Sequence, residues 1–107
     1  MSVGSEKTRE FVKRIEILIA SIEDSQTVKD SAGDELNEKE YLRYIINNAS
    51  DLLNHGEWLI ALEDLLDNLA EVNYKLDIDI WSLAKSASLY APKDWAYEKL
   101  LTAAMRG

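Results

Sequence analysis

Cysteine is absent from this chain of 107 residues. That excludes a disulfide framework and any thiolate nucleophile or ligand, and it fits a reducing compartment. Histidine occurs once, at His55, and proline once, at Pro92. A single histidine without a second ligand or a nucleophile beside it lacks the geometry of a catalytic or metal site. Its expected place is a helix C-terminus, where partial positive charge is favourable. Glycine is sparse, at four residues, and neither a glycine-rich phosphate loop nor a Gly-x-Ser-x-Gly elbow occurs. No apolar run approaches the ~18 residues of a membrane span. The opening MSVGSEKTRE has no apolar signal core, so a cytosolic protein is expected. No stretch alternates polar and apolar residues between turn signals at strand spacing, and no internal repeat is visible.

Bases are missing from one long interval. After Arg43 there is no lysine or arginine until Lys75, while Asp51, Glu57, Glu63, Asp64, Asp67 and Glu71 all fall between. The net charge is −8, from 20 acids against 12 bases, so most of the imbalance sits in less than a third of the chain. Such a surface repels nucleic acid and anionic membrane. It attracts a basic protein surface and speeds encounter with it.

What is present is helical pattern. In the stretch HGEWLIALEDLLDNLAEV, residues 55–72, the apolar positions Trp58, Leu62, Leu65, Leu69 and Val72 step by four and three, which puts them on one helix stripe. Leu59 and Leu66 widen it, as expected for a helix packed in a core. The rest of the chain is expected to pack on this helix. A first helix, capped by Ser5 or Thr8, is expected to run to about Asp24, with Phe11, Ile15, Leu18 and Ile22 inward and residues 1–5 frayed. Residues 25–36 form a long connection around Gly33, either mobile or holding a turn of helix. Asn37, with Glu40 three residues on, caps a second helix to about Asn54. A bend is expected at Asn47-Asn48, and Gly56 closes the element. Asp77 caps a fourth helix carrying Ile78, Trp81, Ala84 and Ser88 on one face, with Ile80, Leu83, Ala87 and Tyr90 beside it, ended by Pro92. A last helix contains Trp95, Tyr97, Leu100, Leu101 and Met105. The expected fold is all-α, a compact bundle of about five helices in one domain, residues 1–107. A chain of this length has a radius of gyration of roughly 13 Å.

Chemistry is thinly represented. Glu63, Asp67 and Glu71 stand one helical turn apart, and paired carboxylates can hold a metal or move protons. The Glu-x-x-His spacing of di-iron bundles is nowhere present. Asp77-Ile78-Asp79 lacks the glycine and terminal glutamate of a calcium loop, so helix capping explains it better. A solvated helix face ordinarily mixes signs, and this one does not. No enzyme activity, metal or cofactor is expected. The three tryptophans fall on apolar stripes and are expected in the core, one of them or Tyr90 or Tyr97 being a candidate exposed anchor.

The order His55-Gly56-Glu57, then Ala61-Leu62-Glu63 with Leu65, Leu66 and Leu69, then the acidic turn Asp77-Ile78-Asp79-Ile80, resembles the small helical immunity proteins of bacterial polymorphic toxin systems. The Maf-type immunity family and some contact-dependent growth-inhibition immunity proteins are the nearest in pattern. The resemblance covers about thirty residues, 55–84. It implies no catalytic residues. It implies a role: binding and neutralising one cognate toxin, often a nuclease and here expected to be an RNase, in a 1:1 complex in the cytoplasm. The expected recognition surface is Glu57, Glu63, Asp64, Asp67 and Glu71, extended by Asp77 and Asp79. A helical adaptor for another basic protein, a carboxylate metal protein and a nucleic-acid mimic are the rival expectations.

Overall fold

The computed structural model describes residues 2–107 and contains five helices and one small antiparallel hairpin. The order is α1 Val3–Ala20, β1 Thr27–Lys29, β2 Glu35–Asn37, α2 Glu38–Asn54, α3 Trp58–Glu71, α4 Ile78–Ser88 and α5 Glu98–Ala103. The Cα radius of gyration is 13.2 Å. No described helix is long and apolar enough to cross a membrane.

The core forms where the helical stripes meet. Leu62, Leu65, Leu66 and Leu69 of α3 are sealed against Phe11 and Ile15 of α1 and Leu42 and Ile45 of α2. Each such side chain contributes roughly 1.5–3 kcal/mol on burial. Helix α3 touches α1, α2 and α5, while α4 packs mainly on α1. The inward stripe of α4 is Ile80, Ala84, Ala87 and Ser88, and Ile78 is exposed. The expected face starting at Ile78 is therefore rotated, because small Ala84 and Ala87 let α4 lie close to α1.

Chain ends and turns follow local chemistry, with corrections. Helix α1 begins at Val3, not after Ser5: Ser2 Oγ accepts the Ser5 N–H at 3.0 Å. Residues 3–5 are helical and not frayed, and Met1 lies outside the described residues. Gly4 holds them in place, because it is buried beneath the Trp58 ring, where a Cβ would come within 2.5 Å. The helix stops at Ala20, earlier than expected, with Ser21 Oγ turned back onto the Leu18 carbonyl. Asn37 caps α2 as expected, its Oδ1 accepting from Glu40 N at 3.0 Å. That helix continues through Asn47-Asn48 to Asn54, and Gly56 turns the chain at φ +77°.

The fold is not strictly all-α. Residues 25–36 neither stay open nor form a helical turn: Thr27–Lys29 pairs antiparallel with Glu35–Asn37. Asp30 builds the connecting turn, its Oδ1 accepting from Ala32 N and Asp34 N at 3.0 and 2.9 Å, while Gly33 takes φ +87°. This is the side-chain turn chemistry for which Asp and Gly are suited. Three-residue strands are too short to show a period of two.

The C-terminal region also departs from expectation. Helix α4 ends at Ser88 and two tighter turns lead to Pro92. Residues 89–97 are a strap without regular structure, so Trp95 and Tyr97 lie outside the last helix. That helix is only Glu98–Ala103. Beyond it Met105 bridges to Leu76, with Arg106 N donating to the Leu76 carbonyl at 2.9 Å. The close approach at Gly4 gives a direct test. Gly4→Ala should gain helix propensity, about 1 kcal/mol, yet lose stability overall, since overpacking costs about 1–3 kcal/mol. Chemical denaturation should show a net loss that Trp58→Phe, which trims the clashing ring, reduces.

Candidate partner-binding face

The helical period puts Glu63, Asp67 and Glu71 on successive turns of α3, opposite its leucines, with Asp64 beside them. Among the described residues none of these four carboxylates has a cationic partner. The ion pairs among the described residues are Lys7–Glu10, Arg14–Asp79, Lys39–Asp24, Lys85–Glu98 and Arg106–Asp77. The α3 acids are held by neutral donors. Trp95 Nε1–H donates to Glu63 Oε2 at 2.7 Å, and Tyr97 O–H donates to Asp67 Oδ2 at 3.1 Å. Ser31, from the hairpin turn, gives Glu71 Oε1 its hydroxyl at 2.6 Å and its backbone N–H at 3.3 Å. The strap and the hairpin thus both close onto α3 through its acids.

Asp64 is the exception. Its Oδ2 is out of solvent and has no hydrogen-bond partner. Burial pushes its carboxyl above the usual aspartate range; Asn68 opposes this and the Asp67 charge adds to it. The Tyr97 hydroxyl is raised above the usual phenol range, first by its bond to Asp67, then by burial and by the charges of Asp67, Glu63 and Asp64. Tyr97 therefore remains a neutral donor and senses three carboxylates together. On the far side, burial first and then the Glu71, Asp30 and Asp64 charges raise Tyr41, whose hydroxyl donates to the Asn68 carbonyl at 2.7 Å.

The remaining expected site residues lie elsewhere. Asp77 occupies the N-cap position of α4 without a side-chain capping bond, and pairs instead with Arg106 at 3.1 Å. Asp79 pairs with Arg14 of α1 at 2.6 Å, and that bond holds its carboxyl below the usual range. These two have cations, unlike the α3 group. Glu57 is exposed at the start of α3 and makes no capping bond. His55 Nδ1–H donates to the Asp51 carbonyl at 2.7 Å, closing the C-terminus of α2. Among the described residues no three His, Asp or Glu side chains converge as metal ligands would. A cleft of about 520 Å³, lined by Ser2, Ser5, Arg9, Leu53, Asn54, Gly56 and Trp58, contains none of the α3 acids.

The sequence pattern missed the strap. Trp95 and Tyr97 stack with ring centroids 5.7 Å apart and planes 29° apart, directly bonded to the acidic face. An aromatic two residues from another aromatic, just beyond a proline, was the available signal. Comparison with family models, curated proteins and solved structures gave no match.

Two substitutions test this arrangement. The raised Asp64 carboxyl means that the folded protein holds its proton more tightly than the unfolded chain, so the ionised form opposes folding at neutral pH. Asp64→Asn should therefore be more stable than the parent at pH 7. The advantage should shrink as pH falls through the raised aspartate range and vanish below about 3.9, where both states are protonated. Thermal melts across pH read this directly. Trp95→Phe removes the donor to Glu63 and should cost about 1 kcal/mol, with little further loss when Glu63→Ala is added.

Proposed function

We propose that this protein is an immunity protein that binds a cognate toxin domain, a nuclease and first of all an RNase, and neutralises it stoichiometrically in the cytoplasm. The observation that carries this reading is the group of four α3 carboxylates, none of which forms an ion pair among the described residues. Mutual repulsion along a helix is destabilising, and neutral donors relieve it without cancelling the charge. A nuclease must hold phosphates and so presents a basic cleft. Carboxylates placed where phosphates would lie can occupy or flank that cleft. The uncancelled charge also steers a basic domain inward and raises the association rate, which matters when the free toxin is lethal. The likeness of residues 55–84 to toxin-immunity proteins points the same way.

The test is co-expression with the C-terminal domain encoded directly upstream. Co-purification as a 1:1 complex and restored growth are the expected result, and neither occurring would sink the reading. The triple variant Glu63→Lys, Asp67→Lys, Glu71→Lys should keep its helical circular dichroism. It should bind at least about a hundredfold more weakly, since like charges across an interface cost several kcal/mol. Association of the parent should slow as salt is raised.

A further inference from the structure

Trp95 and Tyr97 are only half-buried, although they stack on each other. Their polar edges are turned to α3, the indole N–H to Glu63 and the phenol O–H to Asp67. An aromatic face carries negative potential, and a carboxylate accepting at the ring edge polarises the ring further. Each of the two residues thus keeps some accessible surface, beside carboxylates that form no ion pair among the described residues. Lys93 and Lys99 flank the pair in sequence, yet neither forms an ion pair. On the same strap Leu89 and Tyr90 are 71% and 55% exposed.

We propose that the stacked Trp95–Tyr97 pair, with Glu63 and Asp67 at its edges, is a receptor for a guanidinium group, so that an arginine of the basic partner is the central anchor of the interface. The inference rests on the partner-binding reading above and names its chemistry. Arginine fits better than lysine. Its planar cation stacks on an aromatic face while its N–H fork reaches carboxylates at the edge, whereas an ammonium is a hydrated point charge. The fully shielded, donorless oxygen of Asp64 adds negative potential without being neutralised by a bond of its own.

The probe is a blocked tetra-arginine peptide, with tetra-citrulline as its neutral isostere, titrated into full-length protein labelled with ¹⁵N at the tryptophan indoles. The three indole signals report Trp58, Trp81 and Trp95, and Trp95→Phe assigns the last. The expected result is a saturable shift of the Trp95 signal with arginine and none with citrulline. Tyr97→Leu should abolish it and Tyr97→Phe, which keeps the ring, should retain it. Glu63→Gln with Asp67→Asn, which keeps the acceptors and removes the charge, should weaken binding roughly tenfold. Circular dichroism establishes that each variant is folded. An unmoved Trp95 signal, equal shifts at all three indoles, or unchanged affinity in the charge-neutral variant would overturn the inference. Saturation at Trp95 without toxin rescue would remove only the immunity reading. Toxin rescue with no response at Trp95 would remove only the guanidinium receptor.

Discussion

Four carboxylates share the fourteen residues of α3 with the leucines that make the core, and no base on that helix relieves them. Two demands thus fall on one segment. Its inner stripe must be packed from three sides, and its outer stripe must be stabilised against its own charge. The chain meets the second demand with hydrogen-bond donors and not with cations. An indole, a phenol and a serine reach α3 from the strap and the hairpin turn. Because those donors come from irregular segments, the acidic face also decides where the irregular segments lie. Trp95 and Tyr97 of the strap also pack against the core, and the carboxylates fix their polar edges.

Elsewhere in the molecule some acids have cations and others do not: Glu38 Oε2, like the α3 acids, accepts from a neutral donor, the Tyr74 hydroxyl, at 2.7 Å. Asp24, Asp77, Asp79 and Glu98 each face a lysine or arginine more than ten residues away in the sequence, in mostly exposed pairs that solvent screens. The bond from Lys39 lowers the Asp24 carboxyl, and that from Arg14 lowers the Asp79 carboxyl. Both stay ionised and contribute stability above the ordinary aspartate range, lost as pH falls through the lowered values. Asp64 has the opposite sign. The contrast separates carboxylates that help the structure from one that strains it.

The parts legible in the sequence were those set by contacts within a few residues. The four-three stepping from Trp58 to Val72 specified the core stripe of α3, and Asn37 with Glu40 specified the start of α2. Gly56 fixed the turn between those helices, since only a left-handed residue closes so short a connection. What stayed hidden depends on partners distant in sequence. Gly4 belongs in helix α1 only because the Trp58 ring lies over it. Trp95, Tyr97, Leu100 and Leu101 read as a helical stripe, yet the first two are drawn out of it by acceptors on α3. The hairpin is stabilised by Asp30 and by Glu71 from across the fold, and three-residue strands carry no period of their own. The acidic residues themselves were visible. Their division into balanced and unbalanced groups was not, because that division is a matter of which cations reach them.

That division bears on how a binding face can be both stable and available. A carboxylate paired with an arginine of its own chain must break that pair before it can serve another. One held by an indole or a phenol keeps its full charge, and its second oxygen and remaining lone pairs stay open to a further donor. Glu63 and Asp67 are bonded through one oxygen each, so a guanidinium can add to the existing network without dismantling it. Association then requires little reorganisation, and the cost of holding the carboxylates in position is met during folding. The donorless oxygen of Asp64 fits the same economy. A buried acceptor without a partner lowers stability, and such strain is commonly found where a surface is shaped for something other than its own fold. The neutral donors and the unrelieved aspartate are thus two aspects of one arrangement, in which α3 is kept negative, rigid and unspent.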